Sequence, residues 1–251
     1  MINLKTKEEI EVMRQGGKIL AQVLREVSDN IKPGISELEL DALAERLIIE
    51  KGAEPAFKKV KGYRHSLCIS VNNIVVHGIP TGRSFEEKDV VGIDCGVFYK
   101  GFNTDMSETR RVSIQNSDEI DRFLKVGKRA LDEAIKVARP GNRVGNISKT
   151  IQDIVEGGGY SVVRALIGHG VGKQLHEDPE IPGFLNKKIE KTPLLKKGMT
   201  IAIEVIYNMG NYKVSYLNND GWTITTEDGS ISGLFEKTVA ITDNEPLVLT
   251  I

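Results

Sequence analysis

Two stretches of the chain follow one plan, TKEEIEVMRQGGKIL (residues 6–20) and SDEIDRFLKVGKRAL (residues 117–131). A Pro-Gly pair and a second helical pattern come next in both copies, over residues 32–52 in the first and 139–159 in the second. Because Pro and Gly interrupt helices and form turns, each copy predicts two helices joined by a turn. The shared Gly-Lys and Pro-Gly positions favour a duplicated unit, and two unrelated amphipathic helix pairs are the alternative.

The ends of these helices are marked by capping residues. Thr6 and Ser117 are predicted N-caps, and Gly52 and Gly157 lie where a helix should end. Strand patterns follow each helix pair. They cover Ser66–Val76, Asp89–Val97, Phe102–Val112, Thr200–Tyr207, Trp222–Thr226 and Leu234–Thr242. This order predicts one α+β domain over residues 1–251, with pseudo-twofold halves of roughly 1–112 and 113–251 and a site between them.

The bulk composition excludes several classes of function. The 34 Lys and Arg residues nearly balance the 35 Asp and Glu residues, so no overall basic charge points to DNA or to a membrane surface. The two cysteines, Cys68 and Cys95, stand in apolar runs without redox or zinc spacing, which is typical of buried reduced thiols. The charged N-terminus lacks a secretory pattern, and no apolar run has transmembrane length. A cytoplasmic protein, free of the membrane, is expected.

A β-hairpin supplies the first candidate ligands, in VVGIDCGVFYKGFNTDMSETRRV (residues 90–112). If Tyr99 and Lys100 form a two-residue turn, Asp94 stands directly opposite Asp105. Opposed like charges destabilise a sheet, and a carboxylate in an apolar run is costly unless it is paired. A cation between the two acids would turn this repulsion into a net attraction. The alternative is a different register, with each acid facing solvent.

Further candidates stand in other apolar runs. Glu204 lies in MTIAIEVIY, Glu236 lies in GLFEKTVAIT, and the segment IGHGVGKQLHEDP carries His169 and His176. One buried acid can pair with a core cation, but four acids in three apolar strands are more simply explained by a shared metal. An oxygen-rich set with one imidazole suits manganese, iron(II), cobalt or zinc. The number of carboxylates is sufficient for two ions, an arrangement used in hydrolysis.

The chain resembles the type 1 methionine aminopeptidases, which have the pita-bread (creatinase/aminopeptidase) fold around a curved antiparallel sheet. The resemblance covers nearly the whole chain and rests on SLCISVNNIVVHGIP, the Asp94–Asp105 hairpin, GHGVGKQLHEDP, the Glu204 strand, DGW and GLFEKTVAIT in order. It implies a metalloaminopeptidase that removes the initiator methionine when the second residue is small. The implied ligands of two divalent ions are Asp94, Asp105, His169, Glu204 and Glu236, with Asp105 and Glu236 bridging.

The resemblance also implies roles in substrate binding and catalysis. His77 and His176 would contact the scissile peptide, and Trp222 and Cys68 would border the methionine pocket. A hydroxide bridging the ions would attack the carbonyl, His176 would stabilise the oxyanion, and Glu204 would relay a proton to the departing amine. Substrates would be the N-terminal Met-peptides of nascent chains. The family expectation is a monomer.

Three features depart from the family pattern. Val205 replaces the usual Pro after the fourth ligand, Leu175 replaces an aromatic residue, and the loop FKKVKGYRHS (57–66) replaces a Tyr-His-Gly-Tyr-Pro segment. The methionine pocket is therefore expected to have a different shape from that of the family.

Two other functions compete with this interpretation. The first is a proline-specific peptidase of the same fold, although such enzymes usually carry a further N-terminal domain and lack VVHGIP and DGW. The second is a non-catalytic pita-bread binding module, which is expected to have lost ligands that are intact here. The basic segments 58–61 and 187–188 are candidates for contact with the ribosome surface, and ordinary solvated surface is their alternative.

Overall fold

The computed structural model describes residues 2–113, 117–217 and 220–251. In this part of the chain the α-helices are α1 (Lys7–Asp29), α2 (Glu37–Glu50), α3 (Asp118–Val137) and α4 (Val144–Gly157), with 3₁₀ turns at Phe57–Lys59 and Ile189–Lys191. The strands are β1 (Glu54–Pro55), β2 (Leu67–Val71), β3 (Ile74–Val76), β4 (Val90–Tyr99), β5 (Phe102–Arg111), β6 (Ser161–Val162), β7 (Ile167–Gly170), β8 (Glu177–Pro182), β9 (Thr200–Asn208), β10 (Val214–Tyr216), β11 (Ile224–Thr226), β12 (Ser232–Ala240) and β13 (Leu247–Val248).

The helix ends follow from local side chains. The Thr6 hydroxyl accepts a hydrogen bond from the Glu9 amide, and the Glu9 carboxylate accepts one from the Thr6 amide, which forms a capping box at the start of α1. Ser117 occupies the N-cap position of α3 but its side chain makes no capping hydrogen bond, so the acidic first turn supports this helix instead. Gly52 follows α2 with a φ of 73°, and α4 ends at Gly157. The predicted helix ends are therefore confirmed to within two residues.

The strands form one large and one small antiparallel sheet. The large sheet has the order β1-β4-β5-β12-β9-β7-β8, with β2 added to β4, β6 to β9 and β13 to β12, and the small sheet has the order β10-β11-β3. The predicted α+β class is confirmed. The predicted strand Ser66–Val76 is two strands, because Asn72 takes a left-handed turn conformation with a φ of 56°. Strand β7 includes the GHG of the segment GHGVGKQLH (168–176), and β8 begins directly after it; the sequence predicted site residues but no complete strand here.

The two helix pairs pack on matching parts of the sheet. Helix α1 packs against β4 and β5, and α3 packs against β9 and β12. The repeated glycines explain why the copies share these positions. A side chain at Gly17 would overlap the Leu249 carbonyl, and one at Gly127 would overlap the Tyr207 ring. The internal repeat therefore has a physical basis in close helix-to-sheet contact, while the division of the domain at residue 112 stays a prediction.

Two further sequence expectations concern the cysteines and membrane-spanning helices. Cys68 and Cys95 are both free and buried, as predicted. Among the helices of the described residues, none combines the length and apolar character that crossing a membrane requires.

Candidate active site

A row of side chains crosses the large sheet at one level. Asp94 on β4 pairs with Ser107 on β5, Ser107 pairs with Glu236 on β12, and Glu236 pairs with Glu204 on β9. Directly opposed residues project from the same face of an antiparallel sheet. Three carboxylates from three strands therefore share one face and one level.

A second row lies two residues further along the same strands. Asp105 pairs with Gly96, and His169 on β7 pairs with Ala202. A step of two residues returns a side chain to the same face of the sheet, so Asp105 and His169 lie on the same face as the three carboxylates. His169 Nε2 lies 3.4 Å from Glu204 Oε1 and 4.0 Å from Asp105 Oδ2. Possible ligand atoms of Asp105, His169 and Glu236 all lie within 4.8 Å of one another.

The predicted register of the hairpin was wrong. Tyr99 pairs with Phe102, so the turn residues are Lys100 and Gly101, with φ values of 46° and 90°. A two-residue turn with positive φ at both positions matches the strand twist, and Gly101 adopts this conformation without steric cost. The shift moves Asp94 from Asp105 to Ser107 but keeps both acids on one face. The directly opposed acids are instead Glu204 and Glu236.

Glycines on both sides of His169 allow the strand to lie close to its neighbours. A side chain at Gly168 would stand 2.5 Å from the Ala202 carbonyl, and one at Gly170 would overlap the Asp178 carbonyl. His169 Nδ1 lies 2.9 Å from the Gly170 carbonyl and donates to it, because a carbonyl oxygen only accepts. This contact leaves Nε2 as the basic nitrogen that faces the acids.

The acidic cluster is electrostatically unfavourable on its own. Burial raises the pKa of Asp94, and burial together with the neighbouring carboxylates raises the pKa values of Asp105, Glu204 and Glu236 well above their usual range. Asp94 Oδ1 and Glu236 Oε1 are buried without a hydrogen-bond partner among the described residues. Buried polar atoms are rarely left unpaired in native proteins. The donor set therefore fits a divalent cation, which would pair these oxygens and reverse the repulsion.

Two more histidines stand beside the acids. Burial lowers the pKa values of His77 and His176, so both imidazoles are neutral near pH 7. The His176 ring centroid lies 4.4 Å from that of His169. His77 has a φ of 56°, a conformation that is unusual outside glycine, and the next residue, Gly78, has no room for a side chain against the Ile69 carbonyl. This strained turn directs His77 into the cavity.

The acids and histidines open into an apolar pocket within the same cavity. The pocket walls are Phe57, Val60, Tyr63, Cys68, Leu175 and Trp222. Tyr63 donates a hydrogen bond to the Leu67 carbonyl at 2.7 Å, and its ring lies 5.1 Å from that of Trp222. The amides of Trp222 and Thr223 both donate to Asp220 Oδ1 at 2.8 Å, which explains the DGW turn. These walls offer apolar contacts to a side chain that enters the pocket.

The structure brings together every site residue predicted from sequence. Asp94, Asp105, His169, Glu204, Glu236, His77, His176, Trp222 and Cys68 all line this one cavity. Their individual roles stay predictions. Phe57, Val60 and Tyr63 were missed as pocket residues, although the loop that carries them was noted as unusual. Val205 lies in the hydrophobic core on the other face of β9, so this departure from the family does not line the pocket, whereas Leu175 does.

The combination of fold and donor set is that of a metal-dependent hydrolase. The chain belongs to metallopeptidase family M24, whose model matches residues 11–243. Its full-length relatives include methionine aminopeptidases. The enzyme of Clostridium perfringens is 44% identical over 251 residues, covering 100% of this chain and 99% of the relative. Methionine aminopeptidase 1 of Bacillus subtilis is 44% identical over 250 residues, covering 100% of this chain and 99% of the relative.

Solved structures agree with these relatives. The methionine aminopeptidase of Thermotoga maritima superposes with a TM-score of 0.95 at 40% identity, covering 100% of this chain and 99% of that chain. The prolidase of Pyrococcus furiosus superposes with a TM-score of 0.76 at 26% identity, covering 99% of this chain but 65% of the prolidase. The pita-bread fold and the resemblance to methionine aminopeptidases are therefore confirmed.

Proposed function

We propose that this chain is a methionine aminopeptidase, a metal-dependent hydrolase that removes the initiator methionine when the second residue is small. The observation that carries the proposal is the cavity in which four buried acids and His169 adjoin an apolar pocket. Full-length similarity to methionine aminopeptidases supports the same conclusion.

The residues that would hold the metal are Asp94, Asp105, His169, Glu204 and Glu236, and we infer that they would hold two divalent ions, to both of which Asp105 and Glu236 would contribute. Manganese, iron(II), cobalt and zinc all suit a set of carboxylates with one imidazole. When bound, such ions activate water near neutral pH and polarise a carbonyl. The unpaired oxygens of Asp94 and Glu236 support a cation at this place.

The other side chains would position the peptide and move the proton. The apolar pocket binds the methionine side chain, with Cys68 and Trp222 at its border. The neutral His176 donates a hydrogen bond to the oxygen that becomes negative in the transition state, and His77 contacts the same peptide unit. Glu204 takes up a proton at its carboxylate and passes it to the departing amine. The pocket therefore selects methionine as the first residue, and the two histidines align the first peptide bond for hydrolysis.

A proline-specific peptidase is the first competing function. It has support from the prolidase structures, which share the fold. The higher identity and coverage of the methionine aminopeptidases, together with the apolar pocket, favour methionine removal. A non-catalytic binding module is the second competitor, and the complete acid cluster argues against it.

One experiment separates the three functions. Purified protein is loaded with manganese or cobalt, its bound metal is measured, and it is assayed on Met-Ala-Ser and on an Ala-Pro dipeptide. We expect the protein to bind metal, to release free methionine from Met-Ala-Ser and to leave the Ala-Pro dipeptide intact. Hydrolysis of Ala-Pro alone would establish the proline-specific function. Bound peptide without hydrolysis at full metal loading would establish the binding module.

The proposed partners are the N-termini of nascent chains in the cytoplasm. The enzyme is proposed to act as a monomer. Contact with the ribosome surface would involve one of the two basic segments. Lys58 and Lys59 already pair with Glu45 and Glu54, at 2.5 and 2.7 Å, which favours ordinary surface at that segment. The exposed pair 187–188 stays the candidate. Co-sedimentation with ribosomes at low and high salt, with and without K187E/K188E, tests it.

A further inference from the structure

The N-terminal segment reaches behind the loop that carries His176. The Lys5 side chain is almost fully buried, and its Nζ lies 2.5 Å from Glu177 Oε2, with both side chains 4% exposed. The Lys5 amide also donates to the Gly198 carbonyl at 2.7 Å, and Lys5 Nζ donates to the Asn3 carbonyl at 3.2 Å. Both the backbone and the side chain of Lys5 are thus held in place.

The loop closes around this ion pair. Glu177 Oε1 accepts a hydrogen bond from the Gln174 amide at 3.1 Å, so one carboxylate binds the loop through one oxygen and Lys5 through the other. A side chain at Gly172 would overlap the Lys5 side chain and stand 2.9 Å from Glu177 Oε1. The glycine therefore lets the loop backbone lie directly on the ion pair.

The position of the pair matters because Glu177 directly follows His176. His176 is the last residue of the loop, and Glu177 is the first residue of β8. The His176 imidazole lines the catalytic cavity, whereas the Glu177 carboxylate lies at the adjoining cleft and binds Lys5. Because the two residues are adjacent in the chain, the contacts that hold Glu177 also restrict the backbone of His176.

We propose that Lys5 is a positioning residue for the reaction, because its buried ion pair with Glu177 holds His176 against the scissile peptide. This inference rests on the proposed function. Removing one partner of a buried ion pair leaves an uncompensated charge, which is strongly unfavourable. Without Lys5, Glu177 would turn toward water and carry the His176 backbone with it. Small displacements of this kind are costly in catalysis.

The first test is Lys5→Met, which keeps the unbranched shape and most of the length of the side chain and removes its charge. Losing an oxyanion donor costs on the order of 10²–10³ in rate, so displacing it should lower kcat on Met-Ala-Ser by about tenfold or more. Bound metal and KM should stay near the wild-type values, and Lys5→Arg should keep most of the activity. The matched control is Lys173→Met, which removes an exposed ion pair to Glu9 from the same loop and should change kcat little.

A double-mutant comparison separates positioning from general stabilisation. If Lys5 acts through His176, then Lys5→Met should cause no further loss of kcat in a His176→Ala background. The same fractional loss in both backgrounds would overturn the proposal, as would wild-type kcat in Lys5→Met. Wild-type protein that releases no methionine would instead contradict the proposed function, so the two failures are distinguishable.

Hydrogen exchange gives a readout that does not depend on activity. The amides of residues 172–177 should exchange faster in Lys5→Met than in wild type, while those of β9 and β12 stay protected. Unchanged exchange in the loop would contradict the proposal. If Lys5→Met does not fold, Glu177→Gln is measured in the same way, because it removes the charge while keeping the size of the side chain.

Discussion

The two halves of the molecule each contribute two carboxylates to the cavity, but in different registers. In the first half, Asp94 and Asp105 are displaced along β4 and β5, each opposite a residue without charge. In the second half, Glu204 and Glu236 stand directly opposite each other on β9 and β12. The two units of helix pair and strands therefore do not place their carboxylates in matching positions.

The frame itself is repeated closely. Gly34 and Gly141 have φ values of 88° and 89° after their Pro residues, and Gly17 and Gly127 both allow a helix to approach the sheet. His169 comes from β7, which lies between β9 and the edge strand β8. Helix packing therefore fixes matching glycine positions in the two units. A metal site requires only that its side chains meet in the cavity, so their positions along the strands can differ.

The largest expected effect follows from removing a carboxylate of the displaced pair. Asp105→Ala should abolish release of methionine from Met-Ala-Ser and lower bound metal, because the proposed shared ligand is lost. Metal stabilisation of transition-state charge is worth several kcal/mol, so a loss on the order of 10³-fold or more is expected. The fold should persist, since carboxylate repulsion is also relieved. Peptidase assay and metal analysis measure both quantities.

The matched control for Asp105→Ala is Glu108→Ala. Glu108 lies three residues along the same strand, so its side chain points to the other face of the sheet. It should keep both metal and activity. Near-normal turnover by Asp105→Ala would show that the metal site is wrongly placed.

The two histidines of the second half should respond differently. His176→Ala should lower kcat on the order of 10²–10³-fold with little change in bound metal, because its proposed contact is to the reacting carbonyl. His169→Ala should lower bound metal. The measurement is kcat at saturating metal beside metal content for each variant. Loss of metal from His176→Ala with retention by His169→Ala would mean that the roles are exchanged.

The entrance between the halves should select small second residues. His77 lines both the pocket and the cleft that leads out of it, so a side chain branched at Cβ would meet its ring. Met-Ile-Ser should be cleaved at least about tenfold to a hundredfold more slowly than Met-Ala-Ser, the penalty of a steric overlap. Comparable cleavage of both peptides in competition would refute this rule.

The same rule applies to the chain's own N-terminus. Met1 lies outside the described residues, and Ile2 packs against the hydrophobic core of the second half. We expect Met1 to be retained, because Ile2 is large and β-branched. Intact-mass spectrometry of untagged protein measures this, and a mass lower by one methionine would contradict it.

A smaller effect concerns stability in the absence of metal. Burial raises the pKa of Asp94 to about 7 in the folded state, above that of an unfolded chain. The folded state then binds more protons, so the contribution of Asp94 to stability is present below about pH 4 and is lost as pH rises through 7. The melting temperature of chelated protein should fall by about 2–8 °C over this range, and manganese should restore it.

Asp94→Asn is the control for the pH dependence, because it cannot ionise at this position. Thermal unfolding by calorimetry in chelator should show a shallower decline from pH 5 to pH 8 in Asp94→Asn than in wild type. Parallel curves for the two proteins would contradict the assignment of the effect to this carboxylate.

Residue type predicted which side chains meet in the cavity better than it predicted the strand geometry. Asp94 and Glu204 stand in apolar runs, where a charge needs a partner, and this cost is visible in sequence. The hairpin register depended on which two residues turn, and Gly101 decided it through a conformation that the strand pattern does not reveal. The ion pair between Lys5 and Glu177 joins residues 172 positions apart, so no local pattern could predict it.

The central claim is that the acidic cluster binds two divalent ions and that these ions enable methionine removal. The most direct test is titration of chelated protein with manganese, in which bound ions per chain and methionine release from Met-Ala-Ser are followed in the same samples. We predict two ions bound at saturation, no release without metal, and loss of both in Asp105→Ala. Full activity in metal-free protein, or a chain that binds no manganese, would contradict the account.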